Sequence, residues 1–303
     1  MGTAGAAGAG TLVVTGAAGR IGTVLRRALR GEVERLVLLD LVPLRAEDPV
    51  EEVRTLDLLD APAVEAAFVG ARAVVHLAGI PDEAPLPDLV RANVLGTHTV
   101  LEAARRTGVP RVVLAGSNRV TGFHPVGRHT GPDDPVRPDS LYGVSKVAVE
   151  ALGRLYADKF GLSVICLRIG SLEPAPVEPR HLATWLSPRD CVGYVRAALA
   201  APAGAGFTAA YAVSANTRRF WALPTPAELA YTPVDDAEQH AADIPDADTP
   251  ADPDAPQGGA YALPEFTLKH LTHPEHLTHS QHSQHPEHSQ NPEHPEHPEH
   301  SKP

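Results

Sequence analysis

Through the first 170 residues, short apolar runs alternate with longer stretches whose apolar positions recur at three- and four-residue spacing. The short runs predict strands at 11–15, 35–40, 53–57, 72–78, 111–116 and 162–168. The longer ones predict helices near 20–30, 61–69, 86–107 and 140–160. Strands and helices alternating at this pace predict an α/β fold built on a doubly wound parallel sheet. After Gly170 the pattern changes to a proline-rich stretch with two short helices, near 188–200 and 226–230, and an acidic Asp/Pro/Gly segment at 241–258 that reads as a surface loop. That stretch is too short for an independent domain and predicts a small C-terminal substrate cap. The expected organisation is a disordered extension over 1–10, a core over 11–170, a small substrate-binding region over 171–266 and a disordered His/Pro/Glu-rich tail over 267–303.

The first predicted strand, Thr11-Leu-Val-Val-Thr15, runs into Gly16-Ala-Ala-Gly19-Arg-Ile-Gly22 and then a helix. Glycines in that place allow a tight turn at Gly16, close approach of a pyrophosphate at Gly19, and packing of helix on strand at Gly22. The second strand, Arg35-Leu-Val-Leu-Leu-Asp40, ends in an acid 18 residues after Gly22, where a carboxylate accepts both ribose hydroxyls. Together these predict a Rossmann-type dinucleotide site. Asp40 repels a 2′-phosphate, which favours NAD over NADP. Arg20 is expected on the pyrophosphate and Arg45 in solvent. Ligands of such sheets bind beyond the carboxyl ends of strands, and Asp40, Asp57, His76-Leu77-Ala78-Gly79, Ser117 and Arg168 all fall at or just past those ends.

The chain has 303 residues, 43% of them hydrophobic, enough for one large α/β domain with a smaller attachment. A net charge of −11 disfavours nucleic acid as a partner, and an anionic substrate would need its own local cation. Two cysteines, Cys166 and Cys191, make no disulfide framework and fit a reducing cytoplasm. No signal-peptide pattern and no run of transmembrane length is present, so a cytoplasmic enzyme with no membrane partner is expected.

The segment Ser140-Leu-Tyr142-Gly-Val-Ser-Lys146 opens the last predicted core helix. Residues four apart share a helix face, so the Lys146 ammonium can lie beside the Tyr142 phenol and stabilise its phenolate. An ordinary amphipathic helix carries such pairs by chance, so the pair gains meaning only from its company. Ser117 follows the buried run Arg111-Val-Val-Leu-Ala-Gly.

The glycine loop, Asp40, Ser117 and the Tyr142/Lys146 pair together resemble the extended short-chain dehydrogenase/reductase family. The resemblance implies that Ser117 holds the reacting oxygen, Tyr142 exchanges its proton, and Lys146 supports the tyrosine while binding nicotinamide ribose. It implies a cofactor contact set of Gly16, Gly19, Arg20, Ile21, Gly22, Asp40, Asp57, Leu58, Leu77, Ala78, Gly79, Asn93, Tyr142 and Lys146. Asn93, in Arg-Ala-Asn93-Val-Leu-Gly, matches a mid-helix asparagine that serves either as proton relay or as a backbone hydrogen-bond partner.

Within that family, His76-Leu-Ala-Gly-Ile80, Leu141-Tyr-Gly-Val-Ser-Lys146, Arg168-Ile-Gly-Ser171, Arg180-His-Leu-Ala-Thr-Trp185 and Tyr211-Ala-Val-Ser-Ala-Asn216 are similar to the uronate dehydrogenases, from about Leu12 to Phe266. That likeness implies NAD-dependent oxidation of galacturonate or glucuronate at C1 to an aldarolactone. It places Ser117, Asn118, Arg119, Tyr142, Ser171 and Arg180 around the sugar, with Arg180 on the C6 carboxylate. A planar guanidinium binds a carboxylate bidentately, which suits an acidic protein that must hold an acidic sugar. Two positions depart from the pattern: Arg119 stands where it has histidine, and Pro81 where it has serine. Arg119 would add a second carboxylate contact or mark a different acidic substrate.

Two other functions share parts of this pattern. Nucleotide-sugar epimerases and dehydratases carry the same Ser, Tyr, Lys and glycine loop but need a larger C-terminal region than the roughly hundred residues that follow Gly170. A dinucleotide-sensing regulator on the same fold would have no need of the complete Ser117/Tyr142/Lys146 set. Homo-oligomers are compatible with the sequence, and no catalytic metal is expected. In the tail, histidine recurs at every third residue from His270 to His300, interrupted at Asn291. Such a tail is either functionless or a weak multi-site binder of divalent zinc, nickel or copper.

Overall fold

The structure is a computed structural model and describes residues 10–202 and 204–271. The extension before Gly10 and the histidine repeats beyond His270, with the metal binding suggested for them, lie outside the described residues. Seven strands form one parallel sheet in the order β3-β2-β1-β4-β5-β6-β9: β1 (Thr11–Thr15), β2 (Arg35–Asp40), β3 (Glu51–Thr55), β4 (Ala71–His76), β5 (Arg111–Ser117), β6 (Ser163–Ile169) and β9 (Phe207–Ala212). A two-stranded parallel ladder joins β7 (Ser171–Leu172) to β8 (Trp185–Leu186). The helices are α1 (Arg20–Leu29), α2 (Ala61–Phe68), α3 (Leu86–Leu89), α4 (Gly96–Thr107), α5 (Leu141–Phe160), α6 (His181–Thr184), α7 (Pro188–Ala200) and α8 (Pro264–Leu268).

Strand alternation sends successive side chains to opposite faces and so builds two cores. Leu12, Val14, Leu36, Leu38, Ile165 and Leu167 pack under Leu25 and Leu29 of α1 and Tyr194 and Val195 of α7. Val13, Val37, Leu39, Val112, Leu114 and Val164 pack under Phe68 of α2, Val100 and Leu101 of α4, and Val149 and Tyr156 of α5. Chain direction along the sheet reverses between β1 and β4, and the crevice beyond their carboxyl ends is where a doubly wound sheet takes its ligand. Helix ends carry ordinary chemistry. Ser140 accepts from the Gly143 N–H at 3.0 Å to start α5, and Gly161 closes it at φ +71°. Between α3 and α4 the chain stays helical but widens into a π turn at Val90–Leu95, which carries Asn93 inward.

The structure departs from the sequence expectations in four places. The third strand runs over Glu51–Thr55 rather than 53–57, because Arg26 and Arg30 hold the Glu51 carboxylate inside the fold at 2.6 and 2.8 Å. The segment 226–230 forms a turn closed by Thr225 and Glu228 instead of a helix. The seventh strand, β9, was missed: three of its six residues are alanine, a poor strand former, and pairing with β6 decides its conformation. The acidic stretch 241–258 is partly internal. Ile244, Ala247 and Gln257 are buried there, and α8 carries ordered chain past 267. Among the described residues no helix is long and apolar enough to cross a membrane, and no group of three or more His, Cys, Asp or Glu could hold a metal ion.

Candidate active site

A cavity of about 1050 Å³ opens beyond the carboxyl ends of the strands. Its floor is the glycine loop. Gly16 sits at φ +71°, and a Cβ there would lie 2.6 Å from the Ala78 nitrogen, so only glycine lets the loops after β1 and β4 touch. Gly19 starts α1 with no side-chain cap, which leaves the first-turn N–H groups of Arg20, Ile21 and Gly22 free for an anion. The Asp40 carboxylate accepts from the Ala18 N–H at 2.8 Å and the Val42 N–H at 3.0 Å, so it is fixed at the cavity wall with lone pairs to spare. Asp57, Leu58, Leu77, Ala78 and Gly79 complete that wall. Loop, uncapped helix start and fixed acid are the donor and acceptor set that a dinucleotide's pyrophosphate and ribose require. Arg45 is exposed.

Two expected cofactor contacts are placed otherwise. Arg20 lines the cavity, but its guanidinium forms a bidentate pair with Glu173 just after β7, at 2.6 and 2.9 Å. Asn93 does not line it. Its amide instead brackets Ile80, accepting from the N–H at 2.8 Å and donating to the C=O at 3.2 Å, and it also donates to Ser145 Oγ at 2.9 Å. Of the two roles open to Asn93, the backbone one matches these contacts.

Ser117, Asn118, Arg119, Tyr142, Lys146, Ser171 and Arg180 are all brought to the cavity, at its other end. Ser117 ends β5, and its Oγ accepts from the Arg119 N–H at 3.2 Å, which leaves the hydroxyl proton available. Lys146 donates to the Ala115 carbonyl at 2.9 Å, and its Nζ lies 5.6 Å from the centre of the Tyr142 ring. Below them His76 is fully enclosed between Thr15 Oγ1 (2.7 Å) and Thr97 Oγ1 (3.0 Å). Burial, with the nearby Lys146 charge, pushes its pKa down to about 3.

Arg180 is held by donation to the Gln257 carbonyl (3.0 Å) and to Ser171 Oγ (3.4 Å), and it lies over the Tyr261 ring. Neither partner is an anion, and among the described residues no carboxylate pairs with it. Burial holds its pKa below the usual arginine value, but at neutral pH it keeps its charge. Arg119 differs. It is 6% exposed, its Nε donates to Asp139 at 2.6 Å, and its guanidinium lies over Tyr261 and Phe266 at 4.0 and 5.0 Å. It reads as an internal brace whose charge Asp139 already neutralises.

Sequence reasoning missed Tyr261, His181 and Glu173 as cavity residues. Each arrives from the proline-rich region, where no periodicity marks a side chain as inward-facing. Gln257 is a further residue of this kind. It donates to the carbonyls of Pro125 and Arg128, and it accepts from the Trp221 indole, so its own backbone oxygen is fixed under Arg180.

The fold and the cavity define a dinucleotide-binding enzyme of the epimerase/dehydratase class, and residues 12–187 match the model of the NAD dependent epimerase/dehydratase family. The chain belongs to that family. It is 41% identical over 254 residues to the uronate dehydrogenase of Agrobacterium fabrum, an alignment covering 82% of this chain and 96% of that protein. The uronate dehydrogenase of Pseudomonas putida is 39% identical, with 83% and 95% covered. Among solved structures, a tyrosine-to-alanine variant of uronate dehydrogenase from Agrobacterium tumefaciens, complexed with NAD, superposes with a TM-score of 0.80 at 40% identity, covering 86% of this chain and 100% of that one.

Proposed function

We propose that the protein oxidises a hexuronic acid, galacturonate or glucuronate, at C1 to the aldarolactone, with NAD as hydride acceptor. The observation that carries this assignment is Arg180: a largely buried guanidinium with neutral partners only, facing the same cavity as Ser117, Tyr142 and Lys146. A buried cation is costly without a counter-ion, and a substrate carboxylate supplies one. Arg119 is already paired with Asp139, so Arg180 is the cation of this corner left to meet a sugar carboxylate.

Bound NAD supplies hydride acceptance. The chain's own residues do the rest. Arg180 and Ser171 orient the sugar by its acid end, with Asn118 at the cavity wall beside them. Ser117 donates its free proton to the oxygen on C1 and fixes that oxygen beside Tyr142. The Tyr142 phenolate takes the proton from the C1 hydroxyl as the hydride departs, and the Lys146 ammonium, anchored on Ala115, stabilises the phenolate. The buried free thiols of Cys166 and Cys191 suit a reducing, cytoplasmic setting. Turnover with NAD should be measured on galacturonate, glucuronate, their neutral parent aldoses and a nucleotide sugar. Uronates are expected to be preferred, and a preference for the nucleotide sugar would overturn the assignment.

A further inference from the structure

Glu83 lies in the loop before α3, and its carboxylate is buried at the N-terminus of the 20-residue helix that carries Tyr142 and Lys146. One oxygen accepts from the Leu141 N–H at 3.0 Å, the other from the Tyr142 N–H at 2.9 Å. The first oxygen also accepts from the Thr267 hydroxyl at 2.7 Å, and Thr267 belongs to α8. A second connection runs parallel to it. Ser140, the cap of α5, donates to Asp139 at 2.8 Å, Asp139 accepts from Arg119, and Arg119 stacks on Tyr261 and Phe266 on either side of the α8 start.

We infer that Glu83 and Thr267 are positioning residues for Tyr142, and that the segment Gly259–Leu268 is a strap that latches onto the catalytic helix while placing Tyr261 in the substrate wall. The inference rests on Tyr142 being the base proposed above. Two orphan N–H groups of α5 have a single carboxylate as their acceptor, and that carboxylate is oriented from the far side by one hydroxyl. Tyr142 donates its own backbone N–H to Glu83, so any shift of Glu83 moves the phenol directly. The glycine loop and Asp40 are not part of the network, so cofactor affinity should be independent of it.

The test uses the full chain with bound NAD. Thr267→Val should speed amide hydrogen exchange at Leu141 and Tyr142 by about tenfold, the loss expected when a hydrogen bond to a charged group goes. It should lower kcat by about tenfold while leaving the Kd for NAD unchanged, and Thr267→Ser should restore both. Glu83→Gln, which keeps the shape but can accept only one of the two N–H groups, should give the larger effect on the same readouts. Unchanged exchange at those two amides in Thr267→Val overturns the latch. Faster exchange with unaltered kcat overturns the positioning role, as does a fall in NAD affinity in step with kcat, which would mark a general loss of structure. Exchange is read without a sugar, so a protein inactive on uronates would fail the functional assignment and leave the latch to be decided by its own measurement.

Discussion

Arg20 pairs bidentately with Glu173 across the mouth of the cofactor cavity, joining the first turn of α1 to the chain just after β7. The guanidinium is mostly solvent-exposed, so the pair is weakly held and open to competition. The uncapped first-turn N–H groups of α1 lie beside it, which makes the pyrophosphate the natural competitor. Glu173→Gln should therefore tighten NAD binding by at most about fivefold, the scale of an exposed ion pair, and should make the Kd rise more steeply with salt. Titration of NAD by fluorescence at two ionic strengths checks both. Weaker binding in Glu173→Gln would show instead that the pair frames the site and that Arg20 never reaches the phosphates.

Tyr142 is the base in the proposed mechanism. A positioned base contributes roughly 10²–10⁴-fold, so Tyr142→Phe should lose most turnover while binding NAD normally. Lys146→Met should lose a comparable amount and also weaken NAD. The nitrogen is anchored to Ala115 inside the cavity, so its loss removes a cofactor-facing donor as well as the charge beside the phenol. Stopped-flow turnover alongside calorimetric NAD binding separates the two effects. Near-normal turnover in Tyr142→Phe would remove it from the reaction.

What could be read from the sequence follows from how local each signal is. The glycine loop, Asp40 and Tyr142/Lys146 each announce themselves within a few residues of one element, and strand periodicity carries the first six strands of the sheet. Asn93 was half legible: its place on a helix was clear, but the π turn that aims it at Ile80 rather than into the cavity depends on a contact 13 residues away. Arg20 was assigned by proximity to the loop, and Glu173, 153 residues on, could not be seen as its partner. Arg119 is expected around the sugar only through the likeness to the uronate dehydrogenases, at a position where that pattern has histidine. Its pairing with Asp139 and its stacking on Tyr261 and Phe266 come from segments that carry no periodic pattern. The brace, the strap and β9 are all products of long-range packing.

His76 makes a pH prediction whose sign follows from burial. Its folded pKa is pushed down to about 3 by desolvation and the Lys146 charge, against an ordinary 6.5 in the unfolded chain. As pH falls below 6.5 the unfolded state takes up a proton that the folded state refuses, so stability is lost from there down toward pH 3. The slope is roughly 1.4 kcal/mol per pH unit for one proton. Carboxylates such as Glu51, whose pKa is lowered to about 2, add their own loss only below the ordinary carboxylate range. Urea denaturation between pH 6 and 5 stays above most carboxylate titration, and His181, whose pKa burial also lowers, adds the same slope to the unaltered protein and to a His76 variant. His76→Gln should flatten that slope by about one proton relative to the unaltered protein, and an equal slope in both would mean that His76 is protonated in the fold.

Arg180 is proposed as the clamp on the substrate carboxylate, and its removal gives the sharpest discrimination. Gln257 and Ser171 hold the guanidinium from behind, and Tyr261 lies against it. Its remaining donors are thus pre-set for a carboxylate and lose little freedom when one binds. Truncating one partner of such a desolvated pair costs about 2–5 kcal/mol, so Arg180→Ala should depress kcat/KM for a uronic acid by that amount, mainly through KM. The neutral parent aldose never made the contact and should be turned over almost as before, or slightly better once an uncompensated cation is gone. Arg180→Lys should recover only part of the loss, because an ammonium brings the charge without the planar fork. Steady-state kinetics on the acid and the aldose, run side by side for the three proteins, provide the comparison. Equal losses on both substrates would place Arg180 in the scaffold and leave the acidic end of the sugar to be recognised elsewhere in the cavity.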